Sequence, residues 1–477
     1  MSNKITPSKE RATAAYSVTV KLQIANKPGS LASIIKNLGD KLASIAEIKL
    51  ILSNFEYTER EITINCRSVE HSKEMIALIK TLSECKLLEW HDDVFKMHEN
   101  GKMGIAPKSA LATTDELSRA YSPGVARVCN AIKDDPSLVY KYTLKANSVA
   151  VISDGSAVLG LGNIGAKAAL PVMEGKAVLF KQFAGIDGYP ICLETQNVEE
   201  IITIVKNIAT SFAGINLEDI SAPRCFEIEE RLQAICDIPI FHDDQHGTAI
   251  VTLAGVMNAT KLLGKKLCDM KVIVNGFGSG GVACVKILYE AGIKNIIPCD
   301  TTGIVYRGRT QGMNKIKEEV IQYTNPDNIK GTLSDAIKNA DMFLGCSAAG
   351  VLTRDMVKSM AKSPVVFALA NPNPEILPDE VHDIVGVIAT GRSDYANQVN
   401  NVLCFPGLFR GALDAGATRI TANMKLAAAK AIASCISAEE LAKDFIIPNI
   451  FNKEVTKRVA EAVREAAVKD GVVRAHA

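Results

Sequence analysis

The chain has 477 residues, too many for one ordinary core, and this length implies two to four domains of about 100–200 residues each. Hydrophobic residues make up 47% and charged residues 22%, which excludes wholesale disorder. Lys plus Arg total 54 against 53 for Asp plus Glu, so no basic field is present to hold a nucleic acid, and a small-molecule partner is expected instead.

The first sixteen residues, Met1 to Tyr16, are polar and charged without an apolar core and read as a flexible leader rather than a signal or an anchor. The most apolar runs, such as Ile250 to Met257 and Val365 to Ala370, stop well short of the ~18 residues a spanning helix needs, so no membrane association is expected. The 12 cysteines are scattered from Cys66 to Cys435 with no CxxC pair, which fits reduced thiols in a cytoplasmic compartment. From Tyr16, the alternation of Val18, Val20, Leu22 and Ile24 predicts a half-buried strand, then a turn at Asn26 to Ser30 and a helix with Leu31, Ile34, Ile35 and Leu38 on one face. Strands at Ile45 to Leu52 and Glu59 to Cys66 follow, then a helix through Met75, Ile76, Ile79 and Leu82 and a last strand near Leu87 to His91.

This βαββαβ order over residues 16–97 predicts a small α+β, ferredoxin-like layer of two helices on an antiparallel sheet. Its NKPGSLA turn resembles the ACT domain, which implies a small-molecule effector near Pro28 and Gly29. A ligand-free dimerisation module of the same fold is the other reading, because fold does not dictate function. Either way such a sheet often pairs across a two-fold, and a homodimer or larger homo-oligomer is expected. The polar, Gly-containing stretch His98 to Lys102 reads as a linker.

Beyond it, apolar runs at Val149 to Ser153, Ala177 to Phe183, Val198 to Ala213, Ile238 to His242 and Gly247 to Leu263 indicate an α/β segment. Five short apolar runs between residues 271 and 390, VIVNGFG, NIIPCD, MFLGCS, VVFALA and IVGVIAT, alternate with helix-length segments and predict a Rossmann-type, doubly wound parallel sheet. Near the carboxyl end, helices are expected around Asn423 to Ile436 and over Lys453 to Val468, the second burying Val455, Val459, Val463 and Ala467.

The first of the five strands runs into Gly276-Phe277-Gly278-Ser279-Gly280-Gly281 and then an apolar helix. In that context GxGxxG marks a dinucleotide site: Gly276 turns the chain, Gly278 and Ser279 admit a pyrophosphate at the helix N-terminus, and Gly281 lets the helix pack closely. Asp300 ends the next strand and would accept from a ribose diol, favouring NAD. Thr301, Thr302, Arg307 and Arg309 nearby leave room for a phosphate, so NAD and NADP both remain open.

A second constellation is acidic. Glu218 and Asp219 are followed 25 residues later by Asp243 and Asp244 in FHDDQHG, itself at the end of a predicted strand. Convergent carboxylates offer hard oxygen ligands suited to Mg²⁺ or Mn²⁺, although acidic pairs on spacing alone are more often solvated faces or helix caps. His242 and His246 flank the pair and read as hydrogen-bonded structural residues.

YSPGVA at Tyr121, SDGSAVLGLGNIG, MEGKAVLFKQFAGID around Lys176, LEDI, HDDQHGTA, NGFGSGG, ALANPNPE and GRSDYANQVNN occur in one order. Over residues 98 to about 440 they resemble the malic enzymes, specifically the short-chain kind with an ACT extension. The resemblance implies oxidative decarboxylation of L-malate to pyruvate and CO₂ with reduction of NAD or NADP. It also implies a substrate domain over 98–246 and a dinucleotide domain with packing helices over 247–477.

By that resemblance Lys176 is the general base for the C2 hydroxyl, Asp243 its partner, and Tyr121 the acid that protonates C3 of enolpyruvate. Glu218, Asp219 and Asp244 are the implied ligands of Mg²⁺ or Mn²⁺, and Asn371 and Asn401 the amides that orient malate. Lys176 must be neutral to act; its neighbours Ala177, Val178 and Leu179 would desolvate it and a bound divalent cation would add repulsion, both disfavouring the ammonium form. Long-chain members carry an arginine for a malate carboxylate where Ala157 stands, and a proline is usual at Ala396. Two other functions fit the same motifs: a relative that decarboxylates oxaloacetate or converts malate without net redox change, and a non-catalytic regulator that only binds effector.

Overall fold

The computed structural model describes residues 12–158 and 160–474. Two compact units are present, Met1–Ile105 and Ala106–Ala477.

In the first, strands β1 (Thr13–Ala25), β2 (Ser44–Ser53), β3 (Tyr57–Cys66) and β4 (Cys85–Asp92) form an antiparallel sheet in the order β2-β3-β1-β4. The helices Ser30–Asp40 and Val69–Thr81 complete the βαββαβ order. The expected alternation is realised: Val18, Val20, Leu22 and Ile24 of β1 and Ile62 and Ile64 of β3 are buried with Ile34, Leu38, Met75 and Ile79 of the helices. Thr13 to Tyr16 belong to β1 rather than to a leader, because β3 supplies hydrogen-bond partners as far as Thr13 opposite Cys66; residues 1–11 of that leader lie outside the described residues. Pro28 and Gly29 are exposed in the turn before the first helix, Gly29 with φ +92°.

The second unit holds two parallel sheets. One has the order β6-β5-β7-β8, from β5 (Ser148–Ser153), β6 (Asp187–Cys192), β7 (Gly214–Leu217) and β8 (Ile240–His242). The other has the order β11-β10-β9-β12-β13-β14, from β9 (Lys271–Asn275), β10 (Asn295–Asp300), β11 (Gly303–Ile304), β12 (Met342–Gly345), β13 (Val365–Ala368) and β14 (Val387–Thr390). All five expected dinucleotide-domain strands are present and parallel; β11 adds an antiparallel edge.

Both sheets are covered on both faces, which is why their strands are apolar throughout rather than alternating. Val272, Val274, Met342, Leu344 and Phe367 enter one core, and Ile273, Phe343 and Val366 the opposite one. Val149 and Val151 join the first of these cores, whereas Ala150 and Ile152 face a third. Ala177 to Phe183 lies within the 20-residue helix Gly165–Ala184, and the expected domain boundary at 246/247 falls inside the 21-residue helix Asp243–Leu263. The helix Lys453–Lys469 buries Val455, Val459, Val463 and Ala467, at the spacing read from the sequence.

In each parallel sheet the chain leaves a central strand to one side and returns on the other. Ligands gather at the carboxyl ends of the strands flanking such a reversal. In the first sheet that point lies between β5 and β7, and in the second between β9 and β12.

Candidate active site

The loops leaving β5 and β7 meet directly. Ala157 N donates to Asp219 O at 2.9 Å, and Ser221 N to Ser156 Oγ at 2.9 Å. This apposition presents Glu218 and Asp219, the two residues after β7. Asp219 adopts a left-handed backbone with φ +54°, uncommon for a residue with a side chain and found where a site over-determines it. Its amide donates to Asp244 Oδ2 at 2.7 Å, joining the β7 loop to the start of the helix that follows β8.

Lys176, on the helix Gly165–Ala184, reaches into this cluster. Its Nζ lies 2.6 Å from Asp243 Oδ2, 2.8 Å from Glu218 Oε1 and 4.3 Å from the centre of the Phe405 ring. Lys176 is 7% exposed and Asp243 0%. Asn401 donates to Asp243 Oδ2, and Asn216 Nδ2 donates to Glu218 Oε2 at 2.7 Å. Thus Lys176, Glu218, Asp219 and Asp243, all buried, and the half-buried Asp244 and Asn401, dispersed over more than 220 residues of chain, form one cluster.

The expected desolvation of Lys176 is present, and the neighbouring carboxylates oppose it. Burial does disfavour the Lys176 ammonium, but Asp243, Glu218 and Asp244 outweigh it and hold the amine above the usual lysine range. The apolar neighbours on its own helix are therefore not what decides its charge. Burial raises the carboxyls, Glu218 to about 7 and Asp244 to about 6, because one lysine cannot offset so many acids in one dry volume.

Those raised carboxyls also test the metal reading. Ligand atoms of Glu218, Asp219 and Asp244 all lie within 4.8 Å of one another, and Asp243 Oδ1 is buried without a hydrogen-bond partner among the described residues. Hard oxygen donors that repel one another when dry suit a hard divalent cation such as Mg²⁺ or Mn²⁺. Neither flanking histidine joins them. His246 pairs with Glu229 at 2.9 Å and with Lys425 at 3.1 Å, the hydrogen-bonded structural residue expected, whereas neither ring nitrogen of His242 has a hydrogen-bond partner among the described residues; its Nδ1 lies 3.9 Å from Asp244 Oδ2, and burial pushes His242 down to about 4.

The other expected residues fall elsewhere. Asn371 is exposed after β13, and its carbonyl approaches Gly160 so closely that a Cβ there would lie 2.7 Å away. Tyr121 is 68% exposed at the end of the helix Thr114–Ala120 and forms no side-chain hydrogen bond to the cluster. Asn216, Glu229 and Gly247 were not singled out from sequence. Only Gly247, inside HDDQHGTA, lay in a motif that could have drawn attention.

At the second reversal, Gly276, Gly278, Asp300, Thr302, Lys317 and Ser347 line a cleft of ≈ 770 Å³. Gly276 has φ +100°, and a Cβ on Gly281 would fall 1.9 Å from Gly276 O, so the close turn-to-helix packing assigned to these glycines is realised. Ser279 begins the helix Ser279–Glu290, whose N-terminus has no side-chain cap, the arrangement that suits an anion.

Residues 100–233 match the model of the malic enzyme N-terminal domain and residues 245–468 that of the malic enzyme NAD-binding domain. The NAD-dependent malic enzyme of Geobacillus stearothermophilus is 53% identical over 97% of this chain and 96% of its own length. The bifunctional malic/malolactic enzyme of Bacillus subtilis is 54% identical over 80% of this chain and 94% of its own. The crystal structure of a Thermotoga maritima NAD-dependent malic enzyme, 46% identical, superposes with a TM-score of 0.76 over 78% of this chain and 99% of that one. The chain belongs to the malic enzyme family.

Proposed function

We propose that the protein catalyses the oxidative decarboxylation of L-malate to pyruvate and CO₂ with reduction of NAD or NADP. The observation that carries this is the burial of Lys176 between Asp243 and Glu218, beside a triad of carboxylates. Lys176 Nζ takes the C2 hydroxyl proton as hydride leaves C2, and Asp243 holds that amine in place. Glu218, Asp219 and Asp244 would hold a divalent cation, which when bound would supply Lewis-acid polarisation of a substrate oxygen and would offset the carboxylate field that keeps Lys176 protonated. Asn401, already bonded to Asp243, and Asn371 orient the substrate with neutral amides. After CO₂ departs, Tyr121 delivers the proton to C3 of enolpyruvate.

Residues 98–246 act as the substrate domain and 247–477 as the dinucleotide domain, with Gly276, Gly278, Ser279, Gly281 and Asp300 along the coenzyme. Residues 16–97 act as an ACT-like regulatory module with a small effector near Pro28 and Gly29, and the protein works in the cytoplasm as a homodimer or larger homo-oligomer. Supporting assembly, β2 is an edge strand that exposes Ile48, Leu50, Ile51 and Leu52, a template for pairing with a second copy. Among the described residues no helix is long and apolar enough to cross a membrane.

The name of the Bacillus relative favours a second reading, conversion of malate without net redox change. One assay separates the two: L-malate with NAD or NADP, with Mn²⁺ or chelator, following reduced nicotinamide and pyruvate together. Equal yields abolished by chelator are expected. Malate consumed without reduced coenzyme supports the non-redox reading, and no turnover of malate under any condition overturns both.

A further inference from the structure

Past the ends of β12 and β13 a single side chain takes over from the sheet. The backbone bonds between the two strands extend as far as Leu369 N, which donates to Gly345 O at 3.0 Å. Two residues beyond Gly345 and one beyond Leu369, the amides go to Glu375 instead. Its Oε1 accepts from Ser347 N at 2.8 Å and from Ser347 Oγ at 2.9 Å, and its Oε2 accepts from Ala370 N at 3.0 Å. Ser347 Oγ in turn accepts from Asn275 Nδ2 at 2.8 Å, so one run of hydrogen bonds crosses the carboxyl ends of β9, β12 and β13.

Glu375 is 0% exposed, and among the described residues no cation pairs with it. The buried Asp154, Glu218, Glu229 and Asp243, by contrast, each face an arginine, lysine or histidine within 3.0 Å. A buried carboxylate without a counter-ion is held by the donors aimed at it, and such bonds are shorter and stronger than those between neutral groups. The backbone makes room for it: a Cβ on Gly345 would lie 2.3 Å from the Glu375 carboxyl carbon and 2.4 Å from Oε1. The three bonds also join two parts of the site. Asn275 and Ser347 line the cleft of the glycine-rich turn, and Ala370 is followed at once by Asn371, the amide assigned above to malate.

We propose that Glu375 is a positioning residue for the reaction: by clamping Ala370 to Ser347 it fixes Asn371 relative to the coenzyme wall, so that substrate and coenzyme are held in one register. This rests on the reading of Asn371 as a substrate amide in malate oxidation.

The test is a double-mutant cycle on the full chain with Glu375→Gln and Asn371→Ala, reading kcat/KM for malate and, separately, the dissociation constant of NADH by nicotinamide fluorescence. Glutamine has one accepting oxygen. That oxygen serves the two donors of Ser347, which turns the NH₂ group onto Ala370 N and forces the Asn371 loop away. Glu375→Gln should therefore lower kcat/KM at least tenfold while NADH dissociation stays within threefold of wild type. In the Asn371→Ala background it should cost less than a further threefold, because the group it positions is gone. If Glu375→Gln does not fold, Glu375→Asp enters the same cycle: it keeps the charge but is one methylene short of spanning both loops, and the same lack of a further loss is expected. With Asn371→Ala impaired, a folded Glu375 variant whose kcat/KM stays within threefold of wild type overturns the proposal. So do two substitutions whose effects multiply independently, or a parallel loss of NADH affinity, the marks of a carboxylate that only stabilises the sheet. An Asn371→Ala protein with unchanged kcat/KM, or a wild type that does not oxidise malate, removes the underlying reading and the proposal with it.

Discussion

Gly247 sits one helical turn after Asp243, and the position tolerates no side chain. A methyl there would lie 2.0 Å from Asp243 Oδ1, 2.9 Å from its carboxyl carbon and 3.0 Å from Asn401 Cβ. Close carbon–oxygen contacts lie near ~3.3 Å, so Gly247→Ala must drive the fully buried Asp243 carboxylate aside by roughly 1 Å. That breaks the 2.6 Å contact to Lys176 and the bond from Asn401. Hydrogen bonds to charged groups contribute ~1.5–3 kcal/mol each. A loss of ~3 kcal/mol in the reacting complex, at about 1.36 kcal/mol per tenfold, slows turnover roughly 100-fold.

Stability moves less than activity, because alanine favours the helix interior over glycine by ~0.8–1 kcal/mol and partly offsets the displaced carboxylate. The assay is malate-dependent formation of reduced nicotinamide and pyruvate, with thermal unfolding and NADH titration as controls for the fold. A folded Gly247→Ala protein that turns over within threefold of wild type would refute the argument that the Asp243–Lys176 contact governs the reaction.

Lys176→Ala should abolish malate oxidation while NADH still binds, since Lys176, on the helix Gly165–Ala184, does not line the glycine-rich cleft; a turnover measurement beside an NADH titration checks this. Tyr121→Phe should impair protonation of enolpyruvate more than hydride transfer, read as slowed exchange of solvent deuterium into the C3 methyl of pyruvate. With the Glu218 and Asp244 carboxyls raised to about 7 and about 6, protons compete with a metal for the same oxygens. Apparent Mn²⁺ affinity should therefore climb between about pH 5.5 and pH 8, and a flat profile in calorimetry would count against those ligands. Glu229 behaves oppositely: burial disfavours its charge, but His246, Lys425 and His242 outweigh this and hold it at about 2 against an ordinary 4.5. The stability it contributes, on the order of 3 kcal/mol, is complete above pH 4.5 and lost as the pH falls toward 2, so Glu229→Gln should flatten the acid limb of a denaturation profile.

Features carried by contiguous residues were legible from the sequence. The turn from β9 into GxGxxG depends on neighbours within a few positions, and so do the β1 alternation and the four-residue spacing of Val455, Val459 and Val463. The family motifs likewise named Lys176, Glu218, Asp219, Asp243 and Asp244 before any of them touched. By contrast, β6 contains Gly and Pro and β7 is four residues long, too short for a periodic signal, yet β7 is the strand that delivers Glu218.

Tertiary structure decided what depends on distance through space. Lys176 and Asp243 are 67 residues apart and Asn401 and Asp243 158 apart, so neither the packing of the cluster nor the charge it imposes on Lys176 follows from local sequence. A lysine among Ala177, Val178 and Leu179 looks desolvated; three carboxylates from two other strand ends reverse the sign. Asp300 shows the same reversal. On the sequence it is an acid at the end of a strand, and in the fold Arg309 and Lys317 surround it, because the segment after β11 and the helix Lys315–Val320 return both cations to the carboxylate. Electrostatic energy depends on separation in three dimensions and on how little water lies between the charges, and both are properties of the folded chain alone.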